Sequence, residues 1–204
     1  MLFDDTYRTI AKSAEGLFRD RGSKFLAFAS PLTTEQELKN YVAELKSEHP
    51  KANHHCWAVR FTADRSIFKI NDDGEPSGTA GRPILNTLLS RDLSNLAVIV
   101  VRYFGGTLLG VPGLINAYKM ATEDALNNST IIEKTVNDVY SIGFNYLQMN
   151  DIMRIIKENS LDILNQTFDN ACSVQLSIRK SSVNQAIQKF NKVNDIVIKF
   201  DFTN

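Results

Sequence analysis

NLAVIVVRY, Asn95 to Tyr103, is apolar almost throughout until it reaches Arg102. Unbroken apolar character of this kind predicts a strand buried on both faces, rather than one that alternates between core and water. Downstream lies a glycine-rich loop, FGGTLLGVPG (104–113), then a helix from Leu114 to Leu126 that NNS ends. Upstream, RPILNTLLSR (82–91) reads as a helix, with Pro83 in the first turn where no N–H donor is needed. HHCWAVRF (54–61) alternates, placing Trp57, Val59 and Phe61 on one face. TADRS (62–66) is read as the turn to a returning strand, IFKI (67–70).

Earlier still, KFLAFASPL (24–32) has strand composition and is stopped by Pro31. In TTEQELKNYVAELKSEH (33–49), Thr34 and Glu37 form a capping box, and Leu38, Tyr41, Val42 and Leu45 make a helical stripe. This half is a mixed unit of helices and strands. The second half runs differently. Val136, Asp138, Tyr140, Ile142 and Phe144 share one strand parity, and Met149, Ile152, Met153 and Ile156 form a helical stripe. LDILNQTF and CSVQLSIR pair around DNA (169–171). Ser182 with Gln185 reads as a second capping box before a stripe of Val183, Ala186, Ile187 and Phe190, and Ile196, Ile198, Phe200 and Phe202 alternate to the end. The order is β-α-β-β-α-β, a ferredoxin-like arrangement. The expectation is an α+β chain with domains at 1–134 and 135–204.

Among its 204 residues, positive and negative charges balance overall. The balance holds on each side of about Val136, with 16 basic and 16 acidic residues before it and 7 of each after. Neither half has the basic excess typical of nucleic-acid binders, although a neutral total leaves room for a local patch. Cys56 and Cys172 form no zinc or CxxC pattern and read as buried thiols of a cytoplasmic protein. MLFDDTYRTI has no apolar signal-peptide core, and LAVIVV is too short to span a bilayer, so no membrane partner is expected.

The richest segment chemically is NDDGEPSGTAGRP, Asn71 to Pro83. Its carboxylates fail the EF-hand pattern, since aligning Gly74 to loop position 6 puts Lys69 and Ala80 at the two ligand ends. A solvated acidic turn is the better reading, with no metal and no cofactor. In the second glycine loop Gly105 and Gly110 have Walker spacing, but Val111 stands where lysine must be. Both loops run toward helix N-termini, which attract anions, and Ser77, Thr79 and Arg82 could add donors for phosphate or sulfate. The competing reading is that Gly105 and Gly106 serve turns and close packing. His54 and His55 point to opposite faces of a strand and cannot serve one site. Cys56 reads as structural, and Ser77 lies in no nucleophile elbow. Arg102 needs a partner, and Asp73 or Glu75 is the natural one. Such a pair would set the two loops side by side as one composite surface.

NHHCWA (53–58), DDGEPSGTAGRPIL (72–85), VIVVRYFGGTLLG (98–110) and GLINAY (113–118) together resemble the YigZ/IMPACT family, from about Gly22 to Leu126. The chain departs from the common pattern at Val111 and Pro112. The resemblance implies an N-terminal domain of the type shared by a small-subunit ribosomal protein and domain four of elongation factor EF-G. It implies a C-terminal ferredoxin-like domain similar to EF-G domain five. Eukaryotic IMPACT-type members are adaptors in translational control, in a kinase circuit that does not carry over to a bacterial-type chain. Bacterial members have been linked to translation or nucleic acids, and some carry a proline-dipeptidase label. Dinuclear metallopeptidases need a set of His and carboxylate ligands that three histidines, two of them adjacent, hardly supply.

The resulting expectation is a binding protein without catalysis, linked to translation or its regulation. It would recognise RNA, the ribosome or a protein partner through DDGEPSGTAGR and RYFGG. Asp72, Asp73 and Glu75 would set loop geometry and pair with Arg102. Ser77, Thr79 and Arg82 would contact an anion or the partner backbone. Tyr103 and Phe104 would offer a stacking surface, with His54, Gly105 and Gly106 beside them. The alternative is an enzyme acting on a phosphorylated small molecule, with phosphate at the helix N-terminus after Gly78 and Asp73 or Glu75 as base, or a hydrolase. An open groove favours binding, and a closed pocket with a strongly perturbed carboxylate favours catalysis.

Overall fold

A computed structural model describes residues 5–63, 66–169 and 172–203. The chain is a mixed α and β protein. It divides into two compact units, one of residues 7–134 and one running from Thr135 onward together with Asp5 and Thr6.

In the first unit five antiparallel strands form one sheet. In spatial order they are β2 (Ala14–Asp20), β3 (Ser23–Pro31), β6 (Leu96–Tyr103), β4 (His54–Phe61) and β5 (Ile67–Asn71). β6 is the middle strand, and every residue from Leu96 to Arg102 is buried. Its apolar run follows from cover on both faces. On one side Phe25, Ala27, Cys56, Ala58, Val98 and Val100 pack against α2 (Gly81–Ser90) and α3 (Gly110–Asn127) through Ile84, Leu88, Tyr118 and Ala121. On the other, Val59, Phe61 and Ala97 pack under α1 (Glu35–Glu48) through Leu38 and Val42.

The α1 cap forms as the sequence predicts: Glu37 N donates to Thr34 Oγ1 at 3.2 Å and Thr34 N donates to Glu37 Oε2 at 2.9 Å. α3 starts at Gly110, four residues before the apolar stripe, with Pro112 in its first turn. The structure adds three strands that periodicity did not reveal. One is β2; the others, β1 (Thr6–Ile10) and β7 (Ile131–Thr135), form a two-stranded ribbon.

The second unit is built from β8 (Asn137–Phe144), α4 (Met149–Glu158), β9 (Asp162–Phe168), β10 (Cys172–Arg179), α5 (Val183–Phe190) and β11 (Val197–Thr203). Its antiparallel sheet has the order β11-β8-β10-β9, and Ile142, Val174, Leu176 and Ile178 meet Ile152, Ile156 and Phe190 of the helices. Two details correct the sequence reading. Ser182 does not cap α5: it closes a 3-10 turn (Lys180–Ser182) with near-helical backbone, φ −102° and ψ −7°, and its side chain makes no capping bond. A capping hydroxyl needs extended backbone to reach back to the first turn. The alternation of β11 is broken by a bulge between Phe200 and Phe202, and both rings stay about half exposed. Of the two turns, Asp64, Arg65, Asn170 and Ala171 lie outside the described residues. Among the described residues no helix is long and apolar enough to cross a membrane.

Candidate functional site: the Arg102 cleft

Antiparallel pairing of β4 with β6 sets His54 opposite Arg102, at the sheet end where both glycine loops emerge. The 72–80 loop is organised by its three carboxylates, which diverge. Asp72 turns to α2: Oδ1 accepts from Ala80 N (3.1 Å) and Gly81 N (2.8 Å), and Oδ2 from Gly78 N (2.9 Å). These are the N–H groups that would have cradled a phosphate or sulfate. Here the chain's own carboxylate satisfies those N–H groups of the helix terminus from within. Thr79 Oγ1 donates to Pro76 O at 2.6 Å, and Ser77 and Arg82 are exposed.

Asp73 serves β4. Its Oδ2 accepts from His55 N at 2.6 Å, its Oδ1 lies 3.4 Å from Lys46 Nζ, and its carbonyl lies 2.8 Å from His54 Nδ1. A carbonyl only accepts, so Nδ1 of His54 carries the proton and Nε2 faces Glu75 Oε1 at 3.9 Å. Asp73 is thus not the partner of Arg102. Glu75 is: Arg102 Nη1 donates to Glu75 Oε1 at 2.5 Å, with both side chains buried. The same oxygen accepts from Tyr118 Oη at 2.8 Å. The Arg102 guanidinium lies 5.3 Å from the Phe25 ring centroid and 5.5 Å from that of Phe104.

Tyr118 was not foreseen as a site residue, because it comes from the apolar face of α3 and reads there as core. The one sign of it was its place in the GLINAY motif. It also stands 3.3 Å from Cys56 Sγ, which lies 3.0 Å from Asp72 O. Burial pushes both the Cys56 thiol and the Tyr118 phenol well above their usual ranges, so each keeps its proton.

Tyr103 corrects another expectation. Successive strand residues face opposite sides, so Tyr103 turns away from Arg102 toward α1, its hydroxyl 3.0 Å from His49 Nδ1, while Phe104, just past the end of β6, lines the cleft. They do not form one stacking surface. Gly105 serves packing: a Cβ there would lie 1.9 Å from Gly22 C and 2.2 Å from Ser23 N. Gly106 serves the turn, with φ +84°.

These elements frame an open cleft of about 440 Å³, lined by the polar side chains of Asn53, His54, Glu75 and Arg102 and the apolar ones of Pro76, Phe104, Leu108, Val111 and Leu114. Leu108 at 82% and Val111 at 52% exposure form a rim with Phe104.

The Impact N-terminal domain matches residues 21–126. IMPACT family member YvyE of Bacillus subtilis (strain 168) is 34% identical over 154 residues, 76% of this chain and 71% of that protein. IMPACT family member YigZ of Escherichia coli (strain K12) is 33% identical over 148 residues, 72% of each chain. A crystal structure described as a hypothetical protein superposes with a TM-score of 0.73 at 26% identity, covering 96% of this chain and 97% of that one. The matched domain contains both loops, β4, β6 and the Tyr118 helix, and the bacterial relatives extend beyond it: the chain belongs to the IMPACT family.

Proposed function

We propose that this protein acts by binding, without catalysis, in translation or its regulation in the cytoplasm, and that it recognises an RNA, ribosomal or protein partner through the Arg102 cleft and its rim. The observation that carries the reading is the exposed apolar rim of the cleft, together with the engagement of the carboxylates and the thiol around it; His54 Nε2 faces Glu75 at 3.9 Å. Asp72 is held by three backbone N–H groups, Glu75 Oε1 by Arg102 and Tyr118, and the Cys56 thiol is buried and protonated. A general base needs a lone pair within reach of substrate. What faces solvent instead is the apolar rim of Phe104, Leu108 and Val111, the kind of surface that recognition uses.

The link to translation rests on the family resemblance. It is supported by the β11-β8-β10-β9 order of the second unit, which suits a ferredoxin-like domain similar to EF-G domain five; the resemblance implies the EF-G domain four type for the first unit. That pairing is analogy at the level of fold. Sedimentation with purified ribosomes across a salt series tests it, using the parent, Leu108→Asp and Arg82→Ala. Salt-sensitive co-sedimentation that Leu108→Asp abolishes is the expected result. No association at low salt overturns the ribosomal link, and association untouched by Leu108→Asp overturns the cleft as its surface.

A further inference from the structure

On the face of the five-stranded sheet opposite the cleft, α1 packs over β4 and β6 and leaves the margin toward β5 open. A groove of about 380 Å³ lies there, with Leu38, Val42 and Trp57 as its apolar floor. Three ammonium groups, Lys39, Lys46 and Lys69, line it against one carboxylate, Glu35. Lys69 Nζ is 2.6 Å from Glu35 Oε1, and Lys46 reaches Asp73 at 3.4 Å, yet both lysines remain about half exposed.

Beside the groove, β5 is an edge strand. It pairs with β4, and among the described residues no strand pairs with its other side. Ile67 and Phe68 on it are 47% and 49% exposed. An edge of this kind presents unpaired backbone groups as a template for another strand. The register puts Asn71 opposite Trp57 and Lys69 opposite Val59, so Lys69 and the groove share one face of the sheet.

We propose that β5 and the α1 groove bind an extended segment of a partner protein, which adds to β5 as a strand and sets an apolar side chain, flanked by acidic residues, into the groove. In strand addition the backbone supplies affinity, and pockets for alternate side chains supply specificity. Only every second residue of the added strand faces α1, so the apolar anchor and its acidic neighbours stand two positions apart. With Lys69 paired to Glu35 and Lys46 to Asp73, Lys39 leaves the rim one positive charge in excess, which selects acidic neighbours. That excess also argues against a second copy of this chain, because pairing two β5 edges brings two lysine rims together. The site is separate from the Arg102 cleft and stands whether or not that cleft binds ribosomes.

Trp57 is the sole tryptophan and forms part of the groove floor, so its emission reads occupancy directly. The probe is a blocked threonine peptide carrying leucine at its centre and glutamate two residues to either side. The controls are its lysine-for-glutamate counterpart and a version N-methylated along its pairing edge. The expected result is a saturable change in Trp57 emission, with backbone amide shifts at Phe68 and Lys69. Lys39→Glu, at an exposed position, weakens the peptide about five-fold, and N-methylation removes binding. The proposal is overturned by an unchanged emission and amide spectrum at millimolar peptide. Equal affinity for the lysine peptide, unimpaired binding of the N-methylated peptide, or a dimer of this chain formed through β5 overturns it as well.

Discussion

Tyr118 and Arg102 meet on one atom: both donate to Glu75 Oε1, at 2.8 Å and 2.5 Å, although one stands on α3 and the other at the end of β6. That shared oxygen ties the first glycine loop to the two elements that frame the cleft, and it makes the Arg102–Glu75 pair a structural centre of the site.

Removing half of a buried ion pair leaves the other half uncompensated. Arg102→Ala is expected to destabilise the first unit by about 3–5 kcal/mol. Arg102→Met combined with Glu75→Leu should recover much of that loss, because neither buried charge remains. Urea unfolding followed by Trp57 emission reports on the first unit alone, where the tryptophan lies. A double variant no more stable than Arg102→Ala would show that the pair does not act as a unit.

The two glycines after Phe104 should respond differently to alanine. At Gly105 the added methyl meets the backbone of Gly22 and Ser23, and the cost is expected at about 3 kcal/mol or more. At Gly106 the space is open and the strain is that of φ +84° alone, about 1–2 kcal/mol. Thermal unfolding of the two variants decides the order, and equal losses would contradict the packing role of Gly105.

Asp72→Ala uncovers the N–H groups of Gly78, Ala80 and Gly81. The loss of stability should be about 1–2 kcal/mol, as for other N-terminal caps. Phosphate should then raise the midpoint of the variant more than chloride at equal ionic strength, and leave the parent unmoved. A parent protein stabilised by phosphate to the same degree would return the anion to the native site.

Acid should destabilise the two units in separate steps. Burial holds the His55 imidazole below its usual range, with Asp73 opposing, so the folded first unit takes up this proton less readily than the unfolded chain. The stability that the neutral ring contributes is present above about pH 6.5, the unfolded value, and is lost as pH falls below it. In the second unit Asp5 is held well below the carboxylate range, first by the hydrogen bonds of Arg179 Nε and Nη2, both 2.8 Å, and then by Ser181. Its contribution is full above about pH 4 and is lost as pH falls further. His55→Gln should flatten the first limb, seen in Trp57 emission, and Asp5→Asn the second, seen in far-ultraviolet dichroism. Unchanged limbs in both would remove these groups from the acid response.

The sequence by itself determined the elements whose signals are local. The Thr34 and Glu37 cap, the double-faced apolar run of β6, the β4–β5 hairpin and the order of the second unit were all legible, because each depends on residues within one or two turns or on a fixed side-chain period. Even so, the local pattern at Ser182 misled, since a preceding 3-10 turn set its backbone. β1 and β7 have five residues each and exist because they pair with each other across the length of the unit, whereas β2 forms a tight hairpin with β3 through Arg21 and Gly22 but lacks a clean alternation. Tertiary structure alone decided which of three neighbouring carboxylates takes which partner. Asp72 goes to a helix terminus and Glu75 to Arg102 and Tyr118, 27 and 43 residues away. Such choices are set by distance and burial in three dimensions, where one buried charge must be matched by another, and no spacing along the chain encodes them.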